Sequence, residues 1–84
     1  MQYILFSGPK CPACKVMKAN LATAGIEYSE YDISEPKNKM FAGLYHVRSL
    51  PTLVMTSCGK PMETLIGSHP VSELKKIKEK YRNS

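Results

Sequence analysis

Two of the three cysteines in the chain fall within four positions, Cys11-Pro12-Ala13-Cys14, between Lys10 and Lys15. A Cys-x-x-Cys pair has three physical uses: metal ligation, a static cross-link and redox chemistry. A zinc site usually takes four ligands from Cys, His or carboxylates. The remaining candidates, Cys58, His46 and His69, are scattered in separate loops with no second paired spacing, which weighs against a metal. A disulfide closing so short a loop removes little chain entropy, because stabilisation grows with loop length. In a reducing compartment it would seldom persist.

The redox use has positive support. The pair opens a helical pattern directly after the short apolar run Tyr3-Ile4-Leu5-Phe6, so Cys11 is expected at a helix N-terminus. Unpaired N–H groups and the helix dipole favour a thiolate there. Lys10 and Lys15 add positive charge, and Pro12 and Ala13 stiffen the turn without adding any. Cys14 is expected a turn deeper, shielded yet within reach of Cys11. On this reading Cys11 attacks a substrate disulfide and Cys14 resolves the mixed disulfide.

The elements that must position the pair follow from periodicity. Met1–Phe6 is apolar on both faces and suits a central strand, with Ser7-Gly8-Pro9 ending it. From Cys11 a helix carries Cys14, Met17 (or Val16), Leu21 and Ala24 at three- and four-residue steps, and Gly25 stops it. Ile26–Ile33 reads as a second strand with Ile26, Tyr28, Tyr31 and Ile33 inward, although the alternation breaks near Ser29. Ser34-Glu35-Pro36 signals a helix start with Ser34 as cap, and Met40, Phe41, Leu44 and Tyr45 form its apolar face. Leu50–Thr56 is the third strand, Cys58-Gly59-Lys60-Pro61 a turn, and Met62–Ile66 its hairpin partner. Gly67–Pro70 opens a last helix with Val71, Leu74, Ile77 and Tyr81 along one face. The expected order is β-α-β-α-β-β-α, an α/β fold with a four-stranded mixed sheet flanked by three helices in one domain over 1–84.

The totals agree with one soluble domain: 84 residues, 43% hydrophobic and 23% charged. No apolar run approaches the ~20 residues of a membrane span, and Met1–Phe6 lacks a basic n-region and cleavage site. Three cysteines are too few and uneven for a secreted disulfide scaffold. A cytoplasmic location is the expectation, with no membrane partner. The formal charge is +5, much of it in Lys75, Lys76, Lys78, Lys80 and Arg82. Only Tyr81 interleaves an aromatic with that cluster, so a solvated helix face is expected rather than a nucleic-acid surface. The charge also favours steering towards an acidic protein partner. Cys58 reads as a free surface thiol, and His46 and His69 as loop and cap residues.

In this order and spacing, Cys11-Pro12-Ala13-Cys14, Leu50-Pro51-Thr52 and Gly67 resemble the thioredoxin/glutaredoxin superfamily, over essentially the whole chain. Chain length, Cys-Pro-x-Cys and Tyr28-x-x-Tyr31-Asp32-Ile33 look like glutaredoxins. Tyr45–Leu53, Gly59-Lys60 and Gly67-Ser68 look more like thioredoxins. The chain departs from the thioredoxin pattern at Lys10, where a Trp is usual, and at Leu5, where a buried Asp is usual. Its Gly67-Ser68-His69-Pro70 lacks the second glycine and the acid with which glutaredoxins hold glutathione.

The resemblance implies a protein disulfide reductase with Cys11 as nucleophile and Cys14 as resolving thiol. It implies a cis Leu50–Pro51 bond facing Cys11, with substrate contacts at Leu50, Pro51 and Gly67; Lys10, which flanks the pair, and Pro12 and Ala13 within it are further expected substrate contacts. No bound cofactor or metal is implied. Electrons would come from a flavin-dependent reductase of the thioredoxin reductase type or from glutathione, and would go to disulfide-containing proteins. A glutathione-dependent glutaredoxin, or a redoxin serving ribonucleotide reductase, is the alternative within the superfamily. A zinc-held or redox-inactive binding module is the alternative outside it. A monomer is expected.

Overall fold

The computed structural model of the chain describes residues 1–81. Arg82, counted above with the C-terminal charge, lies outside the described residues. The elements run β1 (Gln2–Ser7), α1 (Pro12–Thr23), β2 (Ser29–Asp32), α2 (Pro36–Leu44), β3 (Thr52–Ser57), β4 (Lys60–Ile66) and α3 (Val71–Lys80). The strands form one mixed sheet in the order β2-β1-β3-β4. β1 pairs in parallel with β2 and antiparallel with β3, and β3 pairs antiparallel with β4. The apolar first run is thus a central strand, as expected.

Each face of the sheet carries its own core. Leu5, Leu53 and Met55 pack with Met17 and Leu21 of α1 and Leu74 of α3. Ile4, Phe6 and Val54 pack on the other face with Ala42 of α2. Successive strand residues point to opposite faces, so the alternating members of β1 and β3 feed the two cores in turn. This also explains the break near Ser29. Ile26 and Tyr28 join the α1/α3 core, whereas Tyr31 and Ile33 join the α2 core. The segment serves both faces, and only Ser29–Asp32 of it forms a strand, shorter than the expected Ile26–Ile33.

Other expectations are corrected in the same way. Ser7 belongs to β1, where it pairs with Asp32 and is buried. In α1 the inward residue is Met17, as expected, and the alternative Val16 is 50% exposed. Glu35, not Ser34, is the N-cap of α2, with no side-chain cap bond. The backbone N–H of Ser34 instead donates to Asp32 Oδ1 at 2.8 Å. Met40 and Leu44 do not line the core and are 77% and 75% exposed. Phe41 and Tyr45 do, stacked edge-on at 5.2 Å beside Phe6.

β3 begins at Thr52, one residue after Pro51 and not at Leu50. The hairpin turn is only Cys58-Gly59, closed by Ser57 opposite Lys60, so Lys60 and Pro61 lie in β4 rather than in the turn. Both turn residues have positive φ, +53° and +79°, which suits the right-handed twist of a two-residue hairpin. Met62 is the extra residue of a bulge between the pairs Thr56–Pro61 and Met55–Glu63. Pro61 therefore sits on an edge strand next to a bulge, a position where a missing N–H is tolerated.

Candidate active site

β1 ends at Ser7, and the chain turns through Gly8-Pro9-Lys10 into α1. Cys11 is the N-cap of α1, in an extended conformation, and Pro12 is its first helical residue, where a backbone N–H would have no partner in any case. The backbone N–H of Cys14 donates to Cys11 Sγ at 3.1 Å. The first turn of α1 carries no acidic residue. An N–H donor and the positive end of the helix thus converge on this sulfur, and both favour negative charge on it.

Cys11 and Cys14 are joined as a disulfide with a Cα–Cα separation of 5.2 Å, inside the range that a disulfide spans without moving backbone. Their exposures differ: Cys11 is half-buried, whereas Cys14 is 1% exposed. An incoming sulfur can reach Cys11 and cannot reach Cys14. The helix places Cys14 on the inward face of α1 with Met17 and Leu21, which is why only one of the pair meets solvent.

The Leu50–Pro51 peptide is cis. Thr52 Oγ1 donates to Ser49 O at 2.5 Å across this turn, and the Gly67 N–H donates to Pro51 O at 2.8 Å. Gly67 has φ +84°, a conformation that glycine reaches without steric cost. The turn lies against the β1–α1 loop, since a Cβ on Gly8 would stand 3.0 Å from Leu50 Cδ1. Between the two loops a cleft of about 350 Å³ opens, lined by Gly8 to Cys11, Leu50, Ile33, Ser34 and Lys39. A larger hollow, about 530 Å³, lies around Gly25, Tyr28 and Lys78 and contains neither cysteine.

Of the residues that the sequence singles out, Cys11, Lys10 and Leu50 come together on the cleft. Pro51 is buried beneath it, and Gly67 reaches it only through the Pro51 carbonyl. Pro12 and Ala13 lie on α1 beyond Cys11 and do not line the cleft. Ile33, Ser34 and Lys39 do line it and were not anticipated. Ile33 and Ser34 lie in the β2–α2 connection and Lys39 in the first turn of α2, and no local spacing links them to Cys11. Gly8, read from sequence only as punctuation, is the point where the two loops touch. Leu5 is fully buried in the α1/α3 core, as an apolar residue at that position should be.

Outside the cleft, Ser7 Oγ donates to Glu30 Oε2 at 2.7 Å, and Lys18 Nζ lies 3.0 Å from the same oxygen. The Ser7 hydroxyl, and then Lys18, hold the Glu30 carboxyl below its ordinary value. Asp32 is lowered likewise, by hydrogen bonds from Ser34. Among the described residues, no group of three or more His, Cys, Asp or Glu stands close enough to hold a metal ion. No helix among them is long and apolar enough to cross a membrane.

A half-exposed cysteine on a helix N-terminus, joined to a buried partner and set beside a cis-proline turn, defines a dithiol–disulfide oxidoreductase of thioredoxin fold. The profile of the thioredoxin family matches residues 2–80, and the chain belongs to that family. The thioredoxin of Porphyra purpurea is 30% identical over 80 residues, covering 90% of this chain and 75% of that one. A Staphylococcus aureus thioredoxin is 26% identical over 87 residues, covering 96% and 82%. Among solved structures, a mutant thioredoxin from Halobacterium salinarum superposes with a TM-score of 0.85 at 26% identity, covering 98% and 74%. The chain is accordingly a thiol–disulfide oxidoreductase acting on disulfide-containing proteins through Cys11 and Cys14. It needs no bound cofactor, since the two thiols carry both electrons. The glutaredoxin alternative draws less support, because the matching profile and these relatives are thioredoxins.

Proposed function

We propose that the reduced protein uses Cys11 as the attacking thiolate and Cys14 as the resolving thiol. The observation that carries this assignment is the asymmetry of the pair: Cys11 receives the Cys14 N–H and faces the cleft, while Cys14 is closed to solvent. Cys11 Sγ attacks one sulfur of a substrate disulfide, forming a mixed disulfide and expelling the other sulfur as a thiolate that takes up a proton. Cys14 then loses its proton and attacks Cys11 Sγ, which releases the second substrate thiol and closes the Cys11–Cys14 bond. Two electrons pass from the pair to the substrate, while Cys14 gives up one proton and water supplies the other, having taken the Cys11 proton when the thiolate formed. Substrate backbone meets Leu50, with Lys10 beside it, while Pro51 and Gly67 hold that turn in place and Pro12 and Ala13 shape the first turn of α1.

The electron donor in this proposal is a flavin-dependent reductase of the thioredoxin reductase type. The family match supports it, as does the loop at Gly67-Ser68-His69-Pro70, which lacks the glutaredoxin glycine and acid. The protein works as a cytoplasmic monomer, a location that sparse cysteine usage and the need for re-reduction both favour. Ribonucleotide reductase is the target that the small size and Cys-Pro-x-Cys pattern put forward. Paired assays test the donor: insulin reduction driven by NADPH with thioredoxin reductase, and separately by glutathione with glutathione reductase. Turnover with the first and little with the second is expected. Turnover with glutathione alone would assign the protein to the glutathione system instead.

A further inference from the structure

The cleft beside Cys11 has a chemical character of its own. Pro9, Ile33 and Leu50 make it largely apolar, and Lys10 and Lys39 are the charged residues along it, with no carboxylate-bearing residue in the lining. Neither lysine is in an ion pair among the described residues, where Lys18 pairs with Glu30 and His69 Nδ1 stands 2.7 Å from Glu73 Oε2. The carboxylates closest in sequence are engaged elsewhere. Asp32 accepts from the Ser34 N–H, and Glu30 from Ser7 and Lys18. Glu35, one helical turn before Lys39, is the cap residue of α2 and does not line the cleft. An occupant of this space therefore meets apolar walls and unmatched positive charge, next to the sulfur that reacts.

We propose that the cleft recognises an acidic segment flanking the disulfide of the protein substrate. An apolar side chain lies against Leu50 and Ile33, and a carboxylate lies between Lys10 and Lys39. The formal charge of +5 steers such partners over longer range, but the two cleft lysines set the local preference. A basic segment at the same place would put like charges together and be rejected, which gives specificity as well as speed. This inference rests on Cys11 being the attacking thiol.

The test uses the reduced protein and two synthetic peptide disulfides, identical except that Glu flanks one cysteine in the first and Lys in the second. Bis(2-hydroxyethyl) disulfide, small and neutral, reads the Cys11 chemistry alone, and glutathione disulfide is the fourth substrate. At low salt kcat/KM should favour the Glu peptide by about three- to tenfold, the scale of two solvent-exposed ion pairs. The ratio should shrink as salt screens the charges. Lys39→Glu should abolish or invert the preference. Lys75→Glu, which makes the same change in net charge on α3, should preserve it.

Equal rates for the two peptides would overturn the proposal. So would an equal loss of preference in the Lys39→Glu and Lys75→Glu variants, since the effect would then belong to the whole molecule. Faster turnover of glutathione disulfide than of the Glu peptide would give the cleft a different occupant and overturn it too. A wild-type protein that cannot reduce even the neutral disulfide would sink the assignment of Cys11, and this inference with it.

Discussion

Cys11 and Cys58 both meet solvent, yet the backbone gives them different settings. Cys11 has φ −128° at the N-cap of α1, with an N–H on its sulfur, a second cysteine at a Cα–Cα separation of 5.2 Å and a cleft alongside. Cys58 has φ +53° at the tip of a two-residue hairpin, exposed and outside any disulfide. What separates a redox centre from a surface thiol here is the local helix start, the partner one turn on and the loop opposite. The side chain is the same in both places.

The sharpest way to break that contrast is to exchange sulfur for oxygen at each position. Cys11→Ser should bring insulin reduction down to the uncatalysed background. Cys14→Ser should retain the first step and accumulate a mixed disulfide at Cys11, visible by mass spectrometry. Cys58→Ser should leave turnover unchanged. Alkylation of the reduced protein across pH should place the Cys11 titration within the roughly 3.5–7.5 range of activated Cys-x-x-Cys thiols, below the ordinary value of about 8.5. A Cys11 that titrates at the ordinary value would remove the helix N-terminus from the explanation.

The same contrast shows how far the sequence could be read. The redox pair, the element order and the inward faces of α1 and α3 were legible because their apolar steps mark one helical stripe each, with a choice left open in α1 only between Met17 and Val16. α2 was not. Its Met40-Leu44 and Phe41-Tyr45 pairs make two adjacent stripes of equal spacing over a nine-residue helix and its C-cap, Tyr45, and periodicity cannot choose between them. Aromatic contact decides: Phe41 stands 5.0 Å from Tyr31 and 5.6 Å from Phe6, so the methionine and leucine are turned outward. The cleft was half legible for a related reason. Lys10 and Leu50 lie beside recognisable motifs, whereas Ile33 and Lys39 reach the site only because β2 pairs with β1 and delivers the following connection and the start of α2 to the same end of the sheet.

A smaller effect is expected where the hairpin strains its cysteine. A left-handed backbone costs an ordinary L-residue about 1–2 kcal/mol, a cost that Asn and Gly largely escape. Cys58→Asn should therefore stabilise the protein by about 0.5–1 kcal/mol, raising Tm by a few degrees. Gly59, with φ +79°, predicts the opposite: Gly59→Ala should cost about 1–2 kcal/mol in chemical denaturation. Neither change should alter insulin reduction, because the turn lies apart from the cleft. A loss of activity in the more stable Cys58→Asn variant would tie the hairpin to the redox site and undo the separation drawn above.

The smallest effect sharpens the other side of the comparison, beneath α1. Lys18 follows Cys14 by one helical turn and meets Glu30, which Ser7 also contacts from the end of β1. The side chains of Lys18 and Glu30 are 35% and 38% exposed, so the pair is worth only about 0.2–1 kcal/mol after solvent screening. The folded protein lowers the Glu30 carboxyl below its ordinary 4.5. The unfolded chain then binds more protons than the folded one as pH falls, so the contribution is present above about pH 4.5 and lost as pH drops through the lower, folded value. Glu30→Gln should lower stability by less than about 1 kcal/mol at neutral pH, and the difference from wild type should close in acid. Groups that share this field are Lys18, Asp32 and Tyr28, and Lys18→Met should reproduce the loss in part. If Glu30→Gln instead slows release of the Cys11 mixed disulfide while stability holds, the network acts on Cys14, and the chemistry of the pair extends down into the sheet.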